Sequence, residues 1–290
     1  MAGERAQFLV STDWLADHLS APDLTVVDGS WYLPDAGRDP KAEYLEGHIP
    51  GAVFFDIDDI ADTDNPLPHM LPRPEKFSSR MRKMGIGDGQ RIVVYDGAGL
   101  FSAARVWWMF RVMGVADVAV LDGGLPKWTA EDRPLDSGAV ARPEKHFTAR
   151  LDHGAVRDAD EVHRALKGEL ETVLDARSPG RFAGLEPEPR PGVRAGHMPG
   201  SLNVYYRSLF NDDGTLKDDG ALSEAFDGLG LSRRKPVVTS CGSGVTAAIL
   251  VLALQILGYR NTALYDGSWA DWGTREDLPV ATGSGQIDTK

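Results

Sequence analysis

The chain has 290 residues, a length that favours two domains of ordinary size over one. Hydrophobic residues make up 42% and charged residues 26%, which is the balance of a globular protein and excludes disordered and fibrous classes. The formal net charge of -12 argues against nucleic acid and acidic membrane surfaces as partners.

No stretch of the sequence approaches a membrane span, and the first residues contain an apolar run too short for a secretory signal. We therefore expect a cytoplasmic protein with no membrane association. A single cysteine, Cys241, excludes an internal disulfide and a cysteine-cluster metal site, and no metal is expected. Cys241 is then either a buried spectator or a reactive thiol.

Short β-branched runs alternate with helical patterns along the chain, which predicts βα units around a parallel sheet in each half. The clearest strand signals are residues 25–27, 92–94, 118–120 and 237–239. The helical signals are residues 75–84, 102–114, 158–167, 221–228 and 245–257. The last of these is apolar nearly all round and should be buried.

The same signals occur twice in the same order, which indicates a duplicated unit. The first half carries an apolar run ending in Asp28, then GHIPGA, VVYDGAG and DGG followed by a tryptophan. The second carries an apolar run ending in Asp175, then GHMPGS, VVTSCGSG and DGSW. Because His48 and His197 belong to the paired GHIPG and GHMPG signals of both halves, we interpret them as structural.

Residues 134–156 are polar, contain Pro and Gly, and show no sustained periodicity, as a linker would. We place the first domain at residues 1–140, the linker at 141–156 and the second domain at 157–290. The expected fold class is α/β, with two tandem domains that each have a mainly parallel sheet flanked by helices.

Alignment of VVYDGAG with VVTSCGSG puts Asp96 opposite Cys241, so the same turn carries a carboxylate in one half and the only thiol in the other. Cys241 opens the segment CGSGVTAA, whose glycines let backbone amides converge before a helix begins. Such a loop stabilises an anion and favours the thiolate, the nucleophilic form of cysteine. This pattern favours the reactive thiol over the spectator.

A cysteine-led loop between a strand and a helix is also typical of phosphatases that hold phosphate with an arginine six residues after the nucleophile. Here that position is Ala247. Without the arginine a phosphate dianion lacks its bidentate partner, so the loop fits something smaller, such as a terminal sulfur atom. The phosphatase alternative is therefore disfavoured.

The segment CGSGVTA, with two copies each of the GHIPG-like and DG(G/S)xxxW-like signals, closely resembles the 3-mercaptopyruvate sulfurtransferases of the rhodanese superfamily. The resemblance covers nearly the whole chain and implies two rhodanese-like domains, of which the first is non-catalytic and the second catalytic. It implies transfer of sulfur from 3-mercaptopyruvate, through a persulfide on Cys241, to an external acceptor, with release of pyruvate. It implies no metal or organic cofactor.

The resemblance also assigns roles to individual residues. Cys241 matches the sulfur-carrying nucleophile. The persulfide loop matches Gly242, Ser243, Gly244, Val245 and Thr246. Arg181 and Arg190 match two arginines that bind the substrate carboxylate, a role suited to planar, permanently charged guanidinium groups. On residues alone, arginines in a Pro/Gly-rich loop are more often simply solvated, but the position of these two after the strand that contains Leu174 favours a site.

A proton-handling relay of Ser243, His69 and Asp58 is implied by the same resemblance. The residues by themselves leave a simpler interpretation open, because a histidine between prolines is often a loop-packing residue. Asp58 lies in the run DIDD, which is equally typical of a solvated surface.

Two other functions remain open from the sequence. One is a thiosulfate sulfurtransferase of the same fold, and the other is a non-catalytic rhodanese-like module that binds a partner or senses oxidants. Thiosulfate-preferring relatives carry Arg and Lys directly after the cysteine, whereas Gly242 and Ser243 are neutral, which favours 3-mercaptopyruvate. We expect a monomer whose acceptor is a thioredoxin-like protein, a small thiol or cyanide.

Overall fold

The structure, a computed structural model, describes residues 5–284, which form two compact units. The first unit comprises the described chain up to Thr63, together with Leu71–Asp152 and Phe210–Leu216. The second comprises Asp64–Met70, His153–Leu209 and the described chain from Lys217 onward. Each unit therefore includes one short segment from the other half of the chain.

The first unit is built on a five-stranded parallel sheet in the order β1-β5-β4-β2-β3. Its strands are β1 Leu9–Val10, β2 Leu24–Asp28, β3 Val53–Phe54, β4 Arg91–Tyr95 and β5 Val118–Leu121. Its α-helices include α1 Thr12–His18, α2 Pro40–Glu46, α3 Pro74–Lys83, α4 Ala103–Val112 and α5 Gly124–Ala130. Because helices cover both faces of a parallel sheet, β2 is buried along its whole length.

The second unit repeats this plan with the strand order β6-β10-β9-β7-β8, again all parallel. Its strands are β6 Val156–Arg157, β7 Thr172–Asp175, β8 Leu202–Asn203, β9 Val237–Ser240 and β10 Thr262–Tyr265. Its α-helices include α6 Ala159–Lys167, α7 Pro179–Ala183, α8 Asp219–Phe226, α9 Ala247–Ile256 and α10 Ser268–Trp272. Helix α9 is apolar and almost wholly buried, as predicted.

Matching backbone hydrogen bonds align the two units residue by residue. The amide of Gly29 donates to the carbonyl of Tyr95 at 2.8 Å, and the amide of Ala176 donates to the carbonyl of Ser240 at 2.8 Å. In each case the acceptor is the last residue of a central strand, β4 or β9. The next residues, Asp96 and Cys241, therefore occupy equivalent positions.

The predicted fold class of two α/β units with parallel sheets is confirmed. The five predicted helices are α3, α4, α6, α8 and α9, with ends that differ from the prediction by at most two residues; the helix expected from 245 begins at Ala247. Strands β1, β3, β6 and β8 were missed because each is two residues long, too short for a recognisable alternation. Strand β10 was also missed, since its sequence TALY contains a single β-branched residue. The boundaries 1–140, 141–156 and 157–290 stay a prediction.

The paired histidines contact the residues around them in the same way. His48 stacks on Tyr44 with ring centroids 4.2 Å apart, and its Nδ1 lies 2.8 Å from the carbonyl of Tyr44. His197 stacks on Phe182 at 3.9 Å, and its Nδ1 lies 2.8 Å from the carbonyl of Phe182. Both rings are buried, in agreement with the structural role that their occurrence in both halves suggested.

Candidate active site

Cys241 directly follows β9 at the carboxyl end of the second sheet, where open α/β folds place ligands. Its side chain is buried, with 2% of the residue exposed. Residues 242–246 connect it to helix α9, and Gly244 adopts a left-handed φ of 79° that other residues rarely adopt. The thiol therefore lies in a tight loop in front of the N-terminus of a buried helix, whose positive dipole end favours an anion.

In the equivalent loop of the first unit, backbone amides donate hydrogen bonds to the side chain of Asp96. One carboxylate oxygen of Asp96 accepts a hydrogen bond from the amide of Ala98 at 2.8 Å. The other accepts from the amides of Phe101, Ser102 and Ala103 at 2.7, 2.8 and 2.7 Å. Burial raises the pKa of Asp96 above its ordinary value, although the four amides oppose this shift. Four backbone amides of the first unit's loop thus converge on the side chain at the position that Cys241 occupies in the second unit.

His69 and Ser243 meet within the second unit, although they are 174 residues apart in the chain. Nδ1 of His69 lies 3.1 Å from Oγ of Ser243, and both residues are buried. A histidine at hydrogen-bond distance from a loop hydroxyl can hold or deliver a proton there. Two of the three predicted relay members are therefore brought together.

Asp58 belongs to the first unit and is exposed. One of its carboxylate oxygens accepts a hydrogen bond from the indole of Trp31 at 3.1 Å. Its part in a relay stays a prediction.

Arg181 lies in helix α7, with 24% of its side chain exposed. A Cβ atom added to Gly242 would lie 3.1 Å from its Nη2, so the guanidinium is next to the Cys241 loop. The same Nη2 donates to Oε2 of Glu188 at 2.5 Å. Arg190 follows Glu188 by two residues in the same loop and is partly buried.

A chain of alternating charges runs from the end of β7 to Arg181. Arg177 pairs with Asp175 at 2.7 Å and with Glu188 at 2.7 Å, and its guanidinium stacks on Trp269 at 4.3 Å. Burial disfavours the charge of Arg177, but Asp175 and Glu188 outweigh that effect and raise the pKa of the guanidinium. We call Asp175, Arg177, Glu188 and Arg181 the charge ladder; it holds Arg181 beside the loop.

Arg177 and Glu188 were missed by the sequence analysis, although both belong to the segment DARSPGRFAGLEPEPRPG that supplied Arg181 and Arg190. For Arg177, the signal that could have found it is a charged residue two positions after Asp175, which ends a strand; no local pattern marks Glu188.

Among residues 5–284, no three His, Cys, Asp or Glu side chains form a group that could hold a metal ion. No helix of this part of the chain is long and apolar enough to cross a membrane.

Comparison with known proteins agrees with this geometry. The model of the rhodanese-like domain matches residues 11–131 and 158–275, one match in each half. The chain is 46% identical over 274 residues to the 3-mercaptopyruvate sulfurtransferase of Escherichia coli (strain K12), covering 94% of this chain and 97% of that protein. It is 43% identical over 293 residues to thiosulfate/3-mercaptopyruvate sulfurtransferase 1, mitochondrial, of Arabidopsis thaliana, covering 94% of this chain and 77% of that protein.

Among solved structures, the crystal structure of SseA from Escherichia coli superimposes with a TM-score of 0.83 at 44% sequence identity. The match covers 91% of this chain and 99% of that one. That structure is described as showing the rhodanese fold and catalytic mechanism of 3-mercaptopyruvate sulfotransferases.

Proposed function

Because the chain belongs to the rhodanese family, we propose that it is a sulfurtransferase that takes sulfur from 3-mercaptopyruvate and carries it on Cys241 as a persulfide. The observation that carries this proposal is the pair of equivalent loops. In the first unit, four amides of the loop surround a carboxylate, and in the second the same position holds the only thiol of the chain. We infer that the loop after Cys241 likewise turns its amides toward the side chain, which favours the thiolate, the nucleophilic form of cysteine.

In the first half-reaction the Cys241 thiolate attacks the sulfur atom of 3-mercaptopyruvate. A sulfur–sulfur bond forms, the carbon–sulfur bond of the donor breaks, and its electron pair leaves on carbon as the enolate of pyruvate. One proton converts the enolate to pyruvate. In this proposal the pair of Ser243 and His69, whose Oγ and Nδ1 lie 3.1 Å apart, supplies that proton.

Arg181 and Arg190 hold the donor carboxylate in this proposal. A guanidinium group binds a carboxylate through two parallel hydrogen bonds and stays charged at any working pH. Arg181 is preorganised for this by its contact with Glu188, which fixes one side of its guanidinium next to Gly242. Arg190 would contribute the second cation.

The second half-reaction needs an acceptor from outside, because the chain has no second cysteine. A small-molecule donor and acceptor follow from sulfur transfer itself. We propose a small thiol, cyanide or a thioredoxin-like dithiol as acceptor, and a monomer that acts in the cytoplasm. Elution as a dimer in size-exclusion chromatography with light scattering would contradict the monomer.

The rival donor is thiosulfate, a dianion whose charge would lie close to the loop. A cation at about 6 Å in an effective dielectric near 20 would attract each unit of that charge by roughly 2 to 3 kcal/mol. Gly242 and Ser243 provide no such cation. Arg181 is already paired with Glu188, which further reduces the attraction for a second negative charge.

The test has two parts. Intact-mass spectrometry after incubation with 3-mercaptopyruvate should show one added sulfur atom on Cys241; its absence with both donors would favour a non-catalytic module. The specificity constants of the two donors, at fixed ionic strength with one acceptor, should favour 3-mercaptopyruvate. A preference for thiosulfate would replace the proposed donor.

The double change Gly242→Arg with Ser243→Lys should shift the donor ratio toward thiosulfate by at least about tenfold, the equivalent of about 1.4 kcal/mol. Both positions are crowded, since Gly242 adjoins Arg181 and Ser243 contacts His69, so absolute rates should fall with both donors. Gly242→Ala adds bulk without charge and is the matched control, whose donor ratio should stay that of the parent.

A further inference from the structure

Ser268 is the first residue of helix α10 and has an unusual backbone conformation for its type. Its φ is 51°, in the left-handed region that residues with a Cβ atom rarely adopt. The residue is fully buried. A strained non-glycine residue in a buried position persists only where the surrounding structure holds it there.

The first unit provides an internal reference for this position. There Gly124 begins helix α5 with a φ of 54°, and the amide of the next residue, Leu125, donates to the carbonyl of Asp96 at 3.0 Å. In the second unit the amide of Trp269 donates to the carbonyl of Cys241 at the same 3.0 Å. Gly124 and Ser268 are therefore equivalent, and the second unit has a side chain where the backbone favours glycine.

The hydroxyl of Ser268 connects the ends of two adjacent strands, β9 and β10. It accepts the amide proton of Cys241 at 3.2 Å and donates to the carbonyl of Tyr265 at 2.9 Å. On the other side of the cysteine, Trp269 binds its carbonyl, and the amide of Ala270 donates to the carbonyl of Gly242 at 2.9 Å. Both peptide groups that flank the Cα atom of Cys241 are thereby fixed.

We propose that Ser268 is a positioning residue for sulfur transfer. Its hydroxyl fixes the Cys241 amide, and with it the direction of the Cβ–Sγ bond relative to the loop amides. The inference rests on the proposed function, because it assigns Ser268 to the reaction that Cys241 carries out. Ser268 acts through Cys241, so the turnover number depends on it and the binding of the donor does not.

The test compares two substitutions at this position with one elsewhere. Ser268→Ala removes the hydroxyl and keeps the strain, whereas Ser268→Gly removes both. Ser201→Ala is the matched control, because Ser201 is another fully buried serine of the second unit, and its hydroxyl donates to the carbonyl of Met198 at 2.7 Å. We expect kcat to fall about fivefold to tenfold in both Ser268 variants, the loss that one hydrogen bond accounts for, with KM unchanged within about twofold.

A second readout needs no turnover. Because the chain has one cysteine, labelling with [15N]cysteine gives a single amide signal, that of Cys241. Its hydrogen exchange should become at least about fivefold faster in Ser268→Ala and Ser268→Gly, and should not change in Ser201→Ala.

Several outcomes would overturn the inference. Wild-type kcat in Ser268→Gly would show that the hydroxyl is dispensable. Losses of kcat that follow the loss of thermal stability across all three variants would show a structural role only, and unchanged exchange would show that the amide is not held by Ser268. If the wild-type protein forms no persulfide, the proposed function fails instead, and the exchange experiment still decides whether Ser268 holds the Cys241 amide.

Discussion

Each half of the molecule has a loop between a central strand and a helix, and the first residue of that loop is Asp96 in one half and Cys241 in the other. In the first half, the carboxylate of Asp96 is part of the chain and occupies four amides of its own loop. In the second, the same position holds the shorter side chain of Cys241, to which one sulfur atom is added when the persulfide forms. The comparison teaches that the residue at this position decides whether the loop can carry sulfur, because a thiol can form a persulfide and a carboxylate cannot.

A second difference lies one strand away. Asp28 and Asp175 both end a central strand and are both buried, but within residues 5–284 only Asp175 pairs with an arginine, Arg177. The residue that corresponds to Arg177 in the first unit is Ser30, whose amide donates to Asp28 as the amide of Arg177 does to Asp175, both at 2.9 Å. At this position the first unit has the buried Asp28 next to the neutral Ser30, whereas the second has the ion pair of Asp175 and Arg177 with which the charge ladder starts.

The short segments taken from the other half of the chain also differ. Residues 210–216 belong to the first unit, where the amide of Leu216 donates to Asp122 at 2.8 Å and Gly214 packs beside Gly99 of the filled loop. Residues 64–70 belong to the second unit and bring His69 to Ser243. Residues 210–216 thus pack beside the loop of Asp96, whereas residues 64–70 bring a histidine to the loop of Cys241.

The largest effect is expected from Cys241→Ser, because a hydroxyl cannot accept or hold the transferred sulfur. Turnover with both donors should fall at least about a thousandfold. The melting temperature should stay near that of the parent, since the two side chains are close in volume. Cys241→Asp sharpens the comparison of the two loops: its carboxylate should accept hydrogen bonds from the loop amides, as that of Asp96 does, and give a folded, inactive protein. Substantial residual transfer in either variant would contradict the assignment.

The next largest effect is expected from Asp175→Asn, which removes one of the two carboxylates that neutralise Arg177. The side chain of Arg177 is 1% exposed, and breaking such a buried pair typically costs about 3 to 5 kcal/mol. Chemical denaturation at neutral pH measures this loss. A loss below about 1 kcal/mol would show that Glu188 alone suffices for Arg177.

A smaller effect is expected from Arg181→Ala and Arg190→Ala, each of which removes one of the two guanidinium groups that we propose bind the donor carboxylate. Each should raise KM for 3-mercaptopyruvate by about tenfold to 150-fold, equivalent to about 1.5 to 3 kcal/mol. Arg207→Ala is a suitable control, because Arg207 is an exposed arginine of the second unit that donates to Tyr206. Wild-type KM in both variants would show that these arginines are loop residues that do not bind the donor.

The sequence allowed the prediction of the parts of this site that depend on local pattern. The strand before Cys241, the glycine-rich loop and helix α9 follow one another in the chain, and the duplication itself identified Asp96 as the counterpart of the thiol. The pairing of His69 with Ser243 came from family resemblance, since no local pattern links residues so distant in the chain. Glu188 and Ser268 could not be predicted, because an ion pair depends on the path of a loop and a left-handed φ depends on tertiary contacts.

The smallest effect concerns Asp28, the counterpart of Asp175 without an arginine. Burial raises the pKa of Asp28 from 3.8 to about 6, and the charge of Asp96 adds to the shift, while hydrogen bonds from Ser30 and Tyr95 oppose it. A carboxyl group whose pKa is raised by folding stabilises the protein when protonated, and this contribution is lost as the pH rises from about 4 to about 6. Asn is neutral throughout and keeps an oxygen for the amide of Ser30. As the pH rises through this range, the free energy of unfolding of Asp28→Asn should come to exceed that of the parent by about 1 to 3 kcal/mol, with turnover unchanged.

Urea denaturation of both proteins at pH values below 4 and above 6 measures this difference. The change in the free energy of unfolding should therefore be positive for Asp28→Asn and negative for Asp175→Asn. Equivalent carboxyl groups would then destabilise the first unit and stabilise the second.

A stability difference between Asp28→Asn and the parent that does not change with pH would show that Asp28 is not the titrating group.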